Sequence, residues 1–370
     1  RVERFAAGDD TGEKSNVAGH IQHKLGDVEK GFREADVVIE REFHTQTVHQ
    51  GYIEPQASTA SWGADGRVTI WTSTQGVFAI RTSTAAILGL PESMVTVVPM
   101  EVGGGFGAKS VTYLDAVAAV LSRKSNRPVK MVMSREEVFK GGGPASGTHM
   151  RVKIGAKKDG RITAGYHYLA YEAGPYPGSP VGGGAMTSLA PYNIENLLVD
   201  GYDVVCNKQK VSGYRAPGQP QATFAVESLI DELAATLGMD PIDLRLKNAV
   251  KEGDRMPNGV PHSRFGCREL EEAMKAHPHY NAPLEGPNRG RGVAVAFRWQ
   301  GGQASSATIN VNSNGSVSLT TGSIDLSGTR TTVAMQVAEV LGLAIEDVTS
   351  NVGDTDAVGH TGNSGGSRTT

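Results

Sequence analysis

The sequence predicts an α+β fold made of two mixed α/β units, and three observations carry that expectation. Short runs rich in β-branched residues are launched and stopped by turn residues. Between them lie segments of helical periodicity that end on glycine. A polar, proline- and glycine-containing stretch from Pro278 to Arg291 then divides the chain, so a first unit is expected over residues 1–285 and a second over residues 286–370. A chain of 370 residues is long enough to bury one large core or two ordinary ones.

Residues 1–25 read as a polar, irregular leading segment. Val37 to Phe43 reads as a strand, and Arg67 to Thr72 as another, launched by the turn Ala64-Asp65-Gly66. Phe78, Arg81, Thr82, Ala85, Ala86 and Leu88 recur at helical spacing until Gly89 and Pro91 stop them. Val95 to Pro99 is a strand running into a glycine loop, and Asp115 to Ser125 is the next helix. Strands are expected at Val129–Met133, Met150–Gly155 and Arg161–Tyr171, and the tract Gly174 to Gly184 as loop. Thr223 to Leu237 is a strongly amphipathic helix closed by Gly238, and Asp240-Pro241 starts another at Ile242–Asn248. In the second unit, Gly292 to Phe297 reads as a strand. Ala307–Val311 and Val317–Thr321 flank the turn Asn314-Gly315, and a helix over Thr331–Leu341 precedes a strand opening at Val348.

Composition removes several classes of function. The formal net charge of −3 comes with no basic stripe, so nucleic acid is not an expected partner. No run approaches the roughly 18 apolar residues of a membrane span, and Arg1 to Asp10 lack the apolar centre of a secretory signal. The absence of an initiator Met reads as a processed or excised piece. Two cysteines far apart, Cys206 and Cys267, read as intracellular thiols, and without clustered cysteines this chain cannot house an iron–sulfur cluster. A cytoplasmic protein is expected. Against this, 47 glycines with 6% aromatic residues point to loops whose backbone closely approaches something else.

The densest such loop is Gly103-Gly104-Gly105-Phe106-Gly107-Ala108-Lys109, between a strand and a helix. Consecutive glycines there expose backbone N–H groups to an anion or cofactor. The Gly–Lys spacing is wrong for a phosphate-binding GxxxxGK[ST] loop, and the strict GxGxxG dinucleotide fingerprint fails in both registers. Alone, the loop would be a tight strand–helix turn. It has company: Thr72-Ser73-Thr74-Gln75-Gly76 upstream, and Gly213-Tyr214-Arg215-Ala216-Pro217-Gly218-Gln219 ahead of a helix that contains Glu227. Thr321-Gly322-Ser323 and Ser364-Gly365-Gly366-Ser367 follow. Donor-rich loops at the ends of regular elements suit a phosphate- and heteroatom-rich cofactor. Asp354 and Asp356 read as turn caps, Glu227 as a structural or supporting carboxylate, and a His49–Glu54 metal pair is discounted.

In that order, these segments resemble the molybdopterin domains of the xanthine dehydrogenase/aldehyde oxidase family of molybdenum hydroxylases, over about residue 25 to the end. The resemblance implies a molybdenum cofactor, with the molybdopterin and cytosine-dinucleotide forms both open. The metal would be held by the pterin's dithiolene, so no His/Cys ligand cluster is needed. It implies that Gln75, with Gly76, lies beside the metal's ligands in a catalytic position. Gly104, Gly105, Phe106 and Gly107 would form the loop approaching those ligands, and Arg215 would sit beside them. Gly322, Ser323, Ser364, Gly365, Gly366 and Ser367 would hold the pterin and its phosphate. Ser110, Tyr214 and Pro217 would face the substrate.

Departures from the family pattern narrow the substrate. Purine hydroxylases of the family carry glutamate where this chain has Ser110, and an aromatic residue where it has Pro217. The carbon monoxide oxidisers have cysteine in the arginine loop, absent from Tyr214-Arg215-Ala216-Pro217. The family's glycine–glutamine pair after the Thr-Gly-Ser loop is replaced by Leu326-Ser327-Gly328 following Asp325. The implied activity is hydroxylation of an aldehyde or aromatic heterocycle with water-derived oxygen, with an iron–sulfur subunit and an FAD subunit as partners. The family's general base, a glutamate near its C-terminus, lies beyond the last residue here, so the expectation is either that the chain is a fragment or that a second polypeptide supplies that glutamate. The competing expectation is a catalytically silent scaffold or assembly component on the same fold.

Overall fold

A computed structural model describes residues 2–3, 14–298, 302–366 and 369. The chain forms two compact units, and neither is continuous in sequence. Unit 1 comprises Arg1–Val48, Pro144–Val211 and Ala216–Trp299, and unit 2 comprises His49–Gly143, Ser212–Arg215 and Gln300–Thr370. Residues 49–143 group with the described residues of 302–366, because backbone pairing joins those distant segments. The Val102 N–H donates to the Asp325 carbonyl at 2.9 Å, and Val97 and Thr355 exchange hydrogen bonds of 3.0 and 3.1 Å.

Unit 1 opens with the short pair β1 (Val2–Glu3) and β2 (Lys14–Ser15). Its main sheet has five strands: β3 (Val17–Leu25), β4 (Val37–Thr45), β9 (Thr148–Ala156), β10 (Ile162–Gly174) and β11 (Leu197–Val205). Their order is β3-β11-β10-β9-β4, with β10 and β11 parallel and the other pairs antiparallel. α1 (Val28–Arg33) follows β3, and Asp27 caps it by accepting from the Lys30 N–H. Met150, Val152 and Ile154 of β9 alternate into the core, as period-2 geometry requires. They meet α6 (Gln219–Leu237), and α5 (Val181–Thr187) packs beside it on β10 and β11. On α6 the buried positions 222, 225, 226, 229, 230, 233 and 234 trace one helical stripe.

β3 forms where the sequence predicts an irregular segment, because His20, Gln22 and Lys24 make its text polar. Those three residues are its exposed positions, while Ile21, His23 and Leu25 are half-buried. α5 is the second correction: the tract Gly174–Gly184 ends inside a helix rather than in loop. Glycine is admitted there by close approach. A Cβ on Gly184 would sit 2.7 Å from the Tyr171 hydroxyl and 2.9 Å from the Gly218 carbonyl oxygen, and one on Gly183 would sit 2.5 Å from the Pro217 carbonyl oxygen. The third correction is Gly292–Phe297, whose backbone has no regular structure. The Val295 N–H goes to the Glu227 carboxylate at 2.7 Å instead of to a ladder.

That carboxylate belongs to a buried ionic knot between α6 and α7 (Pro241–Asn248). Arg245, fully buried, reaches Glu227 at 2.9 Å and Asp231 at 2.8 Å, and the Tyr192 hydroxyl also donates to Glu227. Unit 1 closes with α8 (Cys267–Ala276) and α9 (Pro278–Asn281). Cys206 and Cys267 are free thiols.

Unit 2 carries a four-stranded sheet ordered β7-β6-β5-β8, from β5 (Ala57–Trp62), β6 (Val68–Thr72), β7 (Val95–Pro99) and β8 (Val129–Val132). α2 (Val77–Leu88) and α3 (Asp115–Ser125) pack on it, and α4 (Arg135–Gly141) starts with a Ser134–Glu137 capping box. A three-stranded sheet of β12 (Ala307–Val311), β13 (Val317–Thr321) and β14 (Val348–Val352) carries α10 (Thr329–Leu341). Ile324 is buried in the core of the four-stranded sheet. Among the described residues, no helix is long and apolar enough to cross a membrane.

Replacing Gly184 with valine should lower stability by about 1–3 kcal/mol, the usual cost of overpacking a closed site. Urea unfolding reads this directly, and an unchanged midpoint would mean the glycine contact on α5 is dispensable.

Candidate cofactor-binding site

The glycine loop is anchored at both ends by one carboxylate. Lys109 is 1% exposed, and a cation there must be neutralised within the chain. Its Nζ donates to Glu54 Oε2 at 2.6 Å and to Ser73 Oγ at 2.9 Å, and it lies over the Tyr52 ring. The same Glu54 oxygen accepts from the Gly103 N–H at 2.7 Å and from Ser73 Oγ at 2.7 Å. The loop therefore begins and ends on Glu54. Burial pushes this carboxyl upward, but Lys109, Ser73 and the Gly103 N–H together hold it below its ordinary value. Burial also draws the Lys109 ammonium down, opposed by Glu54.

Gln75 ties that loop to two others. It is 3% exposed at the end of β6, just before α2. Its Oε1 accepts from the Gly107 N–H at 2.8 Å and the Lys109 N–H at 3.2 Å, and its Nε2 donates to the Ser364 carbonyl at 3.1 Å. Main-chain bonds run in parallel: the Gln75 N–H donates to the Lys109 carbonyl at 2.8 Å, and the Ser364 N–H donates to the Gln75 carbonyl at 2.6 Å. Both ends of the side-chain amide are thus committed within the chain. Gly76 lets Asn363 in, since a Cβ would lie 1.7 Å from its side-chain oxygen.

The interior of the loop is different. The N–H groups of Gly103 and Gly107 are bonded, as above, whereas those of Gly104, Gly105 and Phe106 donate no hydrogen bond among the described residues. Gly104 and Gly105 are buried. Buried N–H groups without acceptors are rare, and here two in succession stand in a donor-lined bend. Phe106 holds a left-handed φ of 53°, and its ring, 45% exposed, lies close to Gly104. Strain of that kind persists where neighbours impose it. The imposing neighbour is 213–215: the Arg215 N–H donates to the Phe106 carbonyl at 2.8 Å. A Cβ on Gly107 would meet the Gly213 carbonyl oxygen at 2.6 Å, and Gln50 Nε2 donates to that same oxygen at 2.9 Å.

The other expected site residues are placed unevenly. Arg215 is exposed and Tyr214 half-buried beside the loop, while Ser110 is half-buried, its carbonyl accepting from Asn363 Nδ2 at 3.5 Å. Pro217 is exposed but belongs to unit 1. The Gly322 N–H is committed to the Ser306 carbonyl, and the Ser323 N–H to Thr321 Oγ1. Gly322 makes room for Thr361, whose Oγ1 would lie 2.2 Å from a Cβ there. Ser364 joins the Gln75 junction, and Gly365 and Gly366 continue the same bend. Ser367 lies outside the described residues. Asp354 caps its turn by accepting from the Asp356 and Ala357 N–H groups. Sequence reasoning misses Glu54 and Ser73 as loop anchors, although a lysine closing a glycine loop is a signal that a buried anion must lie opposite.

Residues 10–249 match the family model of a molybdopterin cofactor-binding domain, and residues 268–370 match a second model of that description. The chain is 30% identical to a probable xanthine dehydrogenase subunit of Bacillus subtilis, covering 95% of this chain and 50% of the relative. It is 33% identical to the nicotinate dehydrogenase large molybdopterin subunit of Eubacterium barkeri, over 69% of this chain and 61% of that one. The solved aldehyde oxidoreductase of Desulfovibrio gigas superposes with a TM-score of 0.85 at 30% identity, covering 95% of this chain and 41% of that one. This chain therefore spans roughly half the length of its relatives.

Glu54→Gln should cost about 2 kcal/mol at neutral pH, below the roughly 3–5 kcal/mol of a fully buried pair because Glu54 is partly exposed. The folded Glu54 carboxyl titrates below its unfolded value of about 4.3, so its contribution is complete above that pH and is lost as pH falls through the folded value. Denaturant titrations of both proteins should show the gap closing in acid. A gap independent of pH would assign the loss to packing rather than to charge.

Proposed function

The chain belongs to the xanthine dehydrogenase/aldehyde oxidase family of molybdenum hydroxylases, and on that premise we propose that unit 2 grips a molybdenum cofactor as part of an aldehyde- or heterocycle-hydroxylating oxidoreductase. The observation that carries the reading is the pair of buried, unpartnered N–H groups at Gly104 and Gly105. They suit an electron-rich heteroatom group and donate to nothing among the described residues. The Phe106 N–H and the exposed Arg215, whose own N–H holds the Phe106 carbonyl, extend the donor set. When bound, the cofactor supplies a redox-active metal centre that accepts the two electrons released as a C–H bond becomes C–OH. The overall balance takes one oxygen from water and releases two protons and two electrons. Iron–sulfur and FAD subunits are the proposed route for the electrons, the cytoplasm the proposed compartment, and a glutamate outside this chain the proposed base.

Within that scheme this chain's residues position rather than transfer protons. Gln75 holds Gly107, Lys109 and Ser364 in register through both ends of its amide, and Glu54 fixes the ends of the loop. Ser110 in place of glutamate and Pro217 in place of an aromatic leave no purine-binding pair, which favours an aldehyde or a simple heterocycle.

The test is metal and pterin content of the protein purified from cells that make the cofactor. Stoichiometric molybdenum with phosphate-bearing pterin is expected; an empty protein within a complete complex would instead establish the scaffold reading. Gly105→Val would place side-chain atoms where a Cβ is already 2.6 Å from Gln75 Oε1. It should lower molybdenum retention at least about tenfold, the change produced by 1.4 kcal/mol of lost binding. Full occupancy in that variant would remove the loop from the site.

A further inference from the structure

One face of the unit 1 sheet carries a ring from each of its five strands. His44 of β4 lies 4.6 Å from His149 of β9, which lies 6.0 Å from Tyr168 of β10; Tyr168 lies 5.2 Å from Tyr202 of β11, which stacks on His20 of β3 at 4.5 Å. At the β3 end the imidazole is engaged: His20 pairs with Asp200. At the β4 end two imidazoles face each other.

His44 and His149 are direct partners in the antiparallel register, and the neighbouring Thr45–Thr148 pair is pinned by a 2.7 Å hydroxyl contact. Their Nδ1 atoms are 3.3 Å apart. Glu42 lies two residues before His44, so it projects from the same face of β4. One ligand atom from each of the three residues lies within 4.8 Å of the others. A tetrahedral ion with metal–nitrogen bonds of about 2.0–2.1 Å holds two nitrogen ligands about 3.3 Å apart, so the imidazole pair already has the required bite. Arg151, opposite Glu42 in the register, reaches Glu40 at 3.5 Å, and Lys153 reaches Glu40 at 3.8 Å. Both cations thus share Glu40, while Arg151 also feels the charge of Glu42, so an ion would have to share that carboxylate with it.

We propose that Glu42, His44 and His149 form a binding site for a divalent transition ion of the zinc class. Two imidazoles and one carboxylate are ligands for zinc, copper or nickel, whereas calcium and magnesium require mainly oxygen. Glu42 and His44 are exposed and His149 is half-buried, which leaves the fourth position to water. β4 is an edge strand of its sheet, and the ion would clamp it to β9 through side chains, adding to the backbone ladder.

Zinc chloride titrated calorimetrically into the chelator-treated full chain should saturate at one ion per chain through this site. Cobalt(II) should give the visible ligand-field bands of a tetrahedral ion. His44→Ala and His149→Ala should each weaken binding by more than about tenfold and abolish the cobalt bands, and His44→Gln, which keeps a hydrogen-bonding side chain, should do the same. Circular dichroism establishes that each variant is folded. Binding unchanged in the histidine variants, or no saturable binding by the unaltered chain, overturns the proposal and leaves the pair as a cross-strand hydrogen bond.

Discussion

The site in unit 2 depends on neutralising one buried cation. Lys109 closes the glycine loop with its ammonium out of reach of water, and the only way to keep it there is to bring an anion to it. Glu54 does so, and with the same oxygen takes the N–H of Gly103, so the loop is held at its two ends by one carboxylate. Between those ends the N–H groups of Gly104, Gly105 and Phe106 donate to nothing among the described residues. A loop of glycines without such anchors would sample many conformations, since glycine gives up more freedom on ordering than any other residue.

Gln75 adds the third dimension. A primary amide offers two donors and an acceptor, and here it meets two N–H groups on one side and a carbonyl on the other. It joins the strand β6, the glycine loop and the 363–366 bend, with Gln75 and Ser364 standing 289 residues apart in the sequence. The Phe106–Arg215 backbone bond brings in the fourth segment. Loops that resemble surface turns one by one are tied together by these bonds, while among the described residues the N–H groups of Gly104, Gly105 and Phe106 donate to nothing. Those donors are what the proposed cofactor would bind.

Much of this was legible in the text of the chain. The stripe on α6, the glycine stops at Gly89, Gly238 and Gly342, and the strand runs of β4, β6, β7, β9 and β10 follow from local periodicity and turn chemistry. Other elements were hidden for local reasons. β3 puts His20, Gln22 and Lys24 on an exposed face and so has a polar text. α5 carries three consecutive glycines, which argue against a helix by propensity and are admitted only because Tyr171, Pro217 and Gly218 press against them. The run Gly292–Phe297 has the composition of a strand, but Glu227 takes its Val295 N–H and no ladder forms.

What the sequence determined by itself was the kind of loop present and the order in which the loops occur, because glycine, serine and proline act on their own few residues of backbone. What only the tertiary structure decided was which segments fold together and which donors stay unpaired. The grouping of 49–143 with 302–366 arises from main-chain bonds such as Val102 to Asp325, which leave no mark in either segment's composition. The same holds for Glu54, an ordinary acidic residue until folding sets it against Lys109. An unsatisfied N–H is a property of three-dimensional surroundings, and no reading of neighbouring letters can supply it.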